Sequence, residues 1–138
     1  MNLFTYGTLR RGGGLNFKLA DVGQYIGTFR TIPKYTLFDM GCPCLSLGGD
    51  TSVVGDVFKV EDLGQIAHIH NMEVRAGYTL ERVELFNFAD PVYAYFQTPD
   101  SNWDVPIILG GDWINHRKWS GHGVPSSLEH EDQDRAGR

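Results

Sequence analysis

The stretch from Ser52 to Val60 limits the possible folds more than any other part of the chain. Val53, Val54, Val57, Phe58 and Val60 place apolar side chains on both faces of what reads as one extended strand. Side chains alternate along a strand, so one apolar on both sides belongs in the middle of a sheet or in the wall of a closed barrel. Other extended runs surround it. Gln24–Ile32 is rich in Tyr, Ile, Phe and Thr, with Gly27 midway, where a bulge or a close backbone approach is expected. Tyr35–Phe38 resumes extended character after Pro33-Lys34. Tyr78–Phe88 and Val92–Gln97 are β-rich runs divided by the turn signal Ala89-Asp90-Pro91, and Val105–Leu109 adds a last strand. Gly41–Asp50, dense in glycine and proline, reads as loop.

Helical signals are fewer. Leu15–Ala20 puts Leu15 and Leu19 on one side of a short helical segment. Glu61-Asp62 is a start signal for a helix over Leu63–Glu73, and Gly77 ends that region. Gly110-Gly111-Asp112-Trp113 leads into a turn or short helix reaching Trp119. Five or six strands against two or three short helices make an α+β fold with a curved or closed sheet.

The 138 residues suit one domain, expected over 1–121, with 122–138 as a flexible acidic tail that lacks apolar periodicity. A net charge of −5 argues against wholesale binding of nucleic-acid backbones. Neither a signal peptide nor a membrane-length apolar run is read in the sequence, so a cytoplasmic protein is expected. Cys42 and Cys44 flank Pro43, too close for an unstrained bridge, which suits a reducing compartment.

Two stretches carry chemistry. In Phe4-Thr5-Tyr6-Gly7-Thr8-Leu9-Arg10-Arg11-Gly12 a short strand feeds a glycine-containing turn, whose amides can converge on a carboxylate or a polarised carbonyl. The alternative is a plain turn, with Arg10 and Arg11 solvated. On the helix, at about 100° per residue, Leu63, Ile66 and Ile69 form an apolar stripe, and Glu73 falls between Ile66 and Ile69. A carboxylate in such a sector is paired, neutral or functional, because burying it alone costs several kcal/mol; the alternative is a helix that ends early and lets Glu73 reach water. A metal reading on His68, His70 and Glu73 is invited by the one-turn separation of His70 and Glu73, but no carboxylate or histidine elsewhere obviously completes the set; a zinc reading on Cys42, Cys44, His116 and His122 has a Cys-x-Cys spacing tighter than usual. The glycine run Gly12–Gly14 lacks the ending of a phosphate-binding P-loop.

Taken in order, these pieces resemble the gamma-glutamylcyclotransferase-like family. The resemblance runs through Tyr6-Gly7-Thr8-Leu9, Asn16, Leu19, Gly23–Thr28, Pro43, Val54-Gly55-Asp56-Val57-Phe58, Ile69–Glu73, Gly77-Tyr78, Tyr95 and Gly111-Asp112-Trp113, covering about residues 1–119. It implies a small mixed β-barrel flanked by short helices, with a cavity between the first loop and the glutamate. It also implies a cofactor-free reaction in which the α-amine of a γ-glutamyl group attacks its own γ-carbonyl, releasing 5-oxoproline and an amine or amino acid. The spelling of the first loop looks closer to the γ-glutamylamine and biosynthetic branches than to the glutathione-directed one. On this resemblance Glu73 is the catalytic acid/base, and Tyr6, Gly7, Thr8, Leu9, Arg10, Tyr78 and Tyr95 bind the small-molecule substrate, with no metal. A monomer or weak homodimer is expected. The chain departs from the family at His70, where an aspartate is usual, and at Leu80, where an arginine is usual and Arg82 lies one strand-repeat away. These departures favour the rival reading of a non-catalytic ligand-binding or regulatory module on the same scaffold.

Overall fold

The structure, a computed structural model, describes residues 1–120. In chain order its elements are β1 (Asn2–Thr5), α1 (Phe17–Ala20), β2 (Gln24–Arg30), β3 (Tyr35–Asp39), β4 (Pro43–Leu47), β5 (Val54–Lys59), α2 (Ala67–Arg75), β6 (Thr79–Arg82), β7 (Val92–Phe96) and α3 (Trp113–Ser120). The strands form one mixed sheet in the order β2-β5-β1-β7-β4-β3, with β6 paired to β7 outside that path. β1 and β4 run parallel to β7, and the other pairings are antiparallel.

β5 lies between β2 and β1, as its two apolar faces require. Val53 and Val57 enter a core cluster with Phe4, Tyr6, Leu45 and Trp113. Phe58 and Val60 enter a second cluster with Leu3, Leu9, Leu19, Ile66 and Ile69. α1 and α2 therefore cover one face of the sheet, while α3 contributes to the other. Gly55 is needed where β5 crosses β1, because a Cβ there would lie 2.4 Å from the Thr5 carbonyl oxygen and 2.5 Å from the Phe4 ring. The irregularity expected at Gly27 is present: the β2–β5 register shifts between Tyr25 and Gly27.

The α+β class is as read from the sequence, but the barrel is loose because its strand path does not close. Beyond β2 a single bridge pairs Thr31 with Leu85. The Ile32 N–H donates to the Glu84 carbonyl at 3.0 Å, and the Phe86 N–H to Arg30 at 2.9 Å. Among the described residues seven strands are present, more than the five or six expected.

The main correction falls on Gly41–Asp50, read as loop, which contains β4. Its glycines and proline mark the ends of a hairpin rather than a structureless segment. Gly41 (φ 80°) turns the chain, Pro43 opens the strand, and Gly48 and Gly49 (φ 98° and 117°) close it. Cys44, Leu45 and Ser46 between them are buried. Three further boundaries move. α2 begins at Ala67, because Asp62–Ile66 is spent on turns with Asp62 accepting from the Gln65 N–H at 3.1 Å. Only Thr79–Arg82 of the Tyr78–Phe88 run is strand. Val105–Leu109 makes only one isolated bridge, Ile107 opposite Phe38. The proposed tail at 122–138 lies outside the described residues.

Candidate active site

α2 carries Glu73 into the interior. Ile66 and Ile69 anchor the helix in the cluster over the sheet, and Glu73 shares their sector with 0% exposure. The helix ends in a Schellman motif. Gly77 (φ 96°) turns the chain, its N–H donating to the Val74 carbonyl and that of Tyr78 to the Glu73 carbonyl, both at 3.0 Å. Glu73 and Tyr78 are thereby fixed to each other through the backbone. The Tyr78 hydroxyl donates to the Pro43 carbonyl at 2.8 Å and lies 3.2 Å from the Cys44 sulfur and 3.5 Å from that of Cys42.

Tyr95 approaches from β7. Its ring lies among the residues under α2, and its hydroxyl shares a 2.9 Å hydrogen bond with His70 Nδ1. Burial first, and the negative charge of Glu73 second, push its phenol well above the ordinary value near 10. The second cause puts Tyr95 within electrostatic range of Glu73. His70, one turn before Glu73, is thus engaged with a tyrosine. Among the described residues no group of three or more His, Cys, Asp or Glu is arranged to hold a metal ion. His116 faces Asp39 across 2.8 Å, and His122 lies outside the described residues.

The first loop is tied down by its carbonyls. Gly7 accepts from the Arg10 N–H at 3.1 Å, Thr8 from the Leu15 N–H at 2.9 Å, and Leu9 from the Asn16 side chain at 2.9 Å. Among the described residues the N–H groups of Thr8 and Leu9 have no acceptor, and the buried Thr8 Oγ1 has no partner. This leaves a set of hydrogen-bond donors suited to an oxygen-rich ligand. The Leu9 side chain packs in the same cluster as Ile69, Tyr78 and Tyr95, so the loop and Glu73 share one face of the sheet. The Tyr6 hydroxyl donates to the Tyr95 carbonyl and accepts from the Leu45 N–H at 3.3 Å. That side chain therefore joins β7 to β4 inside the core.

Arg10 is not the solvated turn residue that its sequence context allowed. It is buried, with Nη1 3.1 Å from Asp112 Oδ1 and Nε 3.7 Å from Asp56 Oδ2. Asp56, within β5, is a site residue that the sequence pattern does not single out. Only 2% exposed, it accepts from the Arg11 N–H at 2.8 Å and the Thr28 hydroxyl at 2.7 Å. Its sequence signal is a carboxylate inside a strand apolar on both faces. Asp112 also accepts from the Asn115 N–H at 3.0 Å, capping α3. Arg11 instead lies over the Tyr25 ring, 4.3 Å from its centroid.

Comparison with known proteins accords with this architecture. Residues 3–115 match the gamma-glutamyl cyclotransferase, AIG2-like family, and the chain belongs to that family. A Vibrio cholerae protein named "Putative gamma-glutamylcyclotransferase" is 31% identical over 113 residues, covering 80% of this chain and 93% of the relative. An uncharacterised protein from Pyrococcus horikoshii superposes with a TM-score of 0.68 at 22% identity, over 91% of this chain and 99% of the other. A mouse AIG2-like protein does so with a TM-score of 0.65 at 21% identity, over 81% and 86%. At these identities the structural likenesses establish the fold alone.

Proposed function

We propose that the chain is a γ-glutamyl cyclotransferase with Glu73 as its general acid/base. The observation that carries the proposal is the complete burial of Glu73 beside Tyr95, on the face that also bears the donor-rich first loop. Family membership supports the general activity. A γ-glutamyl α-amine is protonated near neutral pH and becomes nucleophilic only after losing a proton. Glu73 takes that proton, and burial helps by raising a carboxyl's proton affinity. The amine nitrogen then bonds to the γ-carbonyl carbon. The γ-amide C–N bond breaks as the proton held by Glu73 passes to the departing nitrogen, and the second proton that the ring nitrogen sheds on becoming an amide follows it, leaving the freed amine as its ammonium. The products are 5-oxoproline and a free amine or amino acid, with no net gain or loss of electrons or protons.

In this proposal the N–H groups of Thr8 and Leu9, with the Thr8 hydroxyl, hold substrate oxygens, while Gly7 keeps the turn tight. Arg10 shapes that loop through Asp56 and Asp112, and Tyr6 braces it against β7. Tyr78 and Tyr95 line the substrate side of Glu73. Folding the substrate toward a five-membered ring supplies much of the remaining rate as proximity. The γ-glutamylamine branch is the proposed substrate class, and no cofactor takes part in the scheme.

One observation favours the rival reading of a non-catalytic module. Leu80, not a cation, stands opposite Tyr95 in the β6–β7 register, and Arg82 is exposed two pairs further on, opposite Tyr93. The two readings separate on a panel of γ-glutamyl amines, γ-glutamyl dipeptides and glutathione. 5-Oxoproline release detected by mass spectrometry supports the enzyme, with amines turned over fastest. Saturable binding without release supports the module.

A further inference from the structure

We infer that His70 is a positioning residue of this site: its Nδ1 accepts the hydrogen bond of the Tyr95 hydroxyl and fixes where the phenol oxygen offers its lone pairs. The chemical consequence rests on the cyclotransferase reading, but the positioning itself does not.

Tyr95 is held at both ends. Its main-chain carbonyl accepts from the buried Tyr6 hydroxyl, and its own hydroxyl meets His70 at 2.9 Å. The ring is 2% exposed. His70 and Glu73 are three residues apart on α2 and so lie on neighbouring parts of one helix face. The raised phenol keeps its proton through the neutral range. A protonated phenol whose hydrogen-bond partner is an imidazole nitrogen donates to that nitrogen when the ring is neutral and carries its hydrogen on Nε2. The oxygen is then left as an acceptor.

An acceptor within range of a buried carboxylate suits a cation that donates hydrogen bonds. The γ-glutamyl α-ammonium is such a group. A neutral imidazole produces this polarity without placing a second negative charge near Glu73. Losing His70 frees the phenol proton to point into the site, where it opposes the ammonium.

The test compares wild type with His70→Ala, His70→Asn, Tyr95→Phe and the double variant His70→Ala/Tyr95→Phe. His70 is only half-buried, so its removal leaves the core intact. In protein labelled at tyrosine Cζ with carbon-13, the Tyr95 signal is assigned by its loss in Tyr95→Phe. The inference requires that signal to shift in His70→Ala and to move back toward wild type in His70→Asn. With γ-glutamyl substrates, His70→Ala should raise KM about three- to tenfold with kcat little changed, the size of one lost hydrogen bond. Adding His70→Ala to Tyr95→Phe should change KM by less than about twofold, because the residue acts through the hydroxyl. An unmoved Tyr95 signal, or a full independent penalty in the double variant, overturns the inference. A wild type that releases no 5-oxoproline overturns the cyclotransferase reading instead, and the Tyr95 signal then decides the inference alone.

Discussion

The Tyr78 main-chain N–H donates to the Glu73 carbonyl across 3.0 Å, so a residue just past the end of α2 and the proposed acid/base are positioned by one hydrogen bond. Gly77, between them, makes the bond possible at φ 96°, and a Cβ there would lie 2.7 Å from the Gln97 side-chain nitrogen. Gly77→Ala should destabilise the fold by about 1–2 kcal/mol through left-handed strain and crowding. Urea denaturation measures that loss. The same variant should lower kcat more than a surface substitution of equal stability cost, because the shift reaches Glu73 directly. Equal kcat in the two would separate the helix end from the chemistry.

Asp56 tethers the first loop from a strand whose neighbours are apolar. Removing its carboxylate leaves the buried Arg10 side chain, the Arg11 N–H and the Thr28 hydroxyl each short of a partner. Asp56→Ala should cost about 3 kcal/mol or more, in the range for breaking one side of a buried ion pair. Thr28→Ala, which removes the bond to Asp56 and an exposed one shared with the Tyr25 hydroxyl, should cost about 1 kcal/mol. Chemical denaturation of both variants checks the ordering, and a Thr28 penalty as large as that of Asp56 would contradict the tether.

The Tyr95 phenol gives stability a predictable dependence on alkaline pH. Below about pH 10 the tyrosine is protonated in both folded and unfolded chains and contributes no slope. Above that value the unfolded chain releases the proton while folded Tyr95 retains it. The folded state then binds more protons, so stability falls as pH rises toward the folded value. In Tyr95→Phe this contribution is absent, and unfolding free energy should decline less steeply with pH above about 10 than in wild type. Matched slopes would show that Tyr95 ionises as readily folded as unfolded.

Much of the architecture is legible in local pattern, and the parts that are not have a common cause. Glu73 was readable because helical periodicity placed it between Ile66 and Ile69, and the side chain is buried there. Gly27 and Gly77 were readable because a glycine within a strand or after a helix has few other uses. β4 was obscured because Gly41, Pro43, Gly48 and Gly49 crowd its ends, so turn signals masked a short buried strand. Arg10 could be read as solvated or substrate-binding but not as paired within the fold, because its partners, Asp56 and Asp112, are distant in sequence, the latter by 102 residues. Pattern along the chain reports which face is apolar. It does not report which charge will meet which across the sheet. His70 shows the same gap: its partner Tyr95 comes from β7, and helix spacing offered only a weak metal reading with Glu73.

The proposed chemistry depends most directly on Glu73. The measurement is 5-oxoproline release by wild type and Glu73→Gln, run side by side on a γ-glutamyl amine, with folding checked by circular dichroism and binding by calorimetry. Gln is nearly isosteric with Glu but does not take up a proton at working pH, so the variant should fold and bind substrate while turnover falls by at least about a hundredfold. Equal release by the two folded proteins would make Glu73 a structural residue and contradict the proposed mechanism.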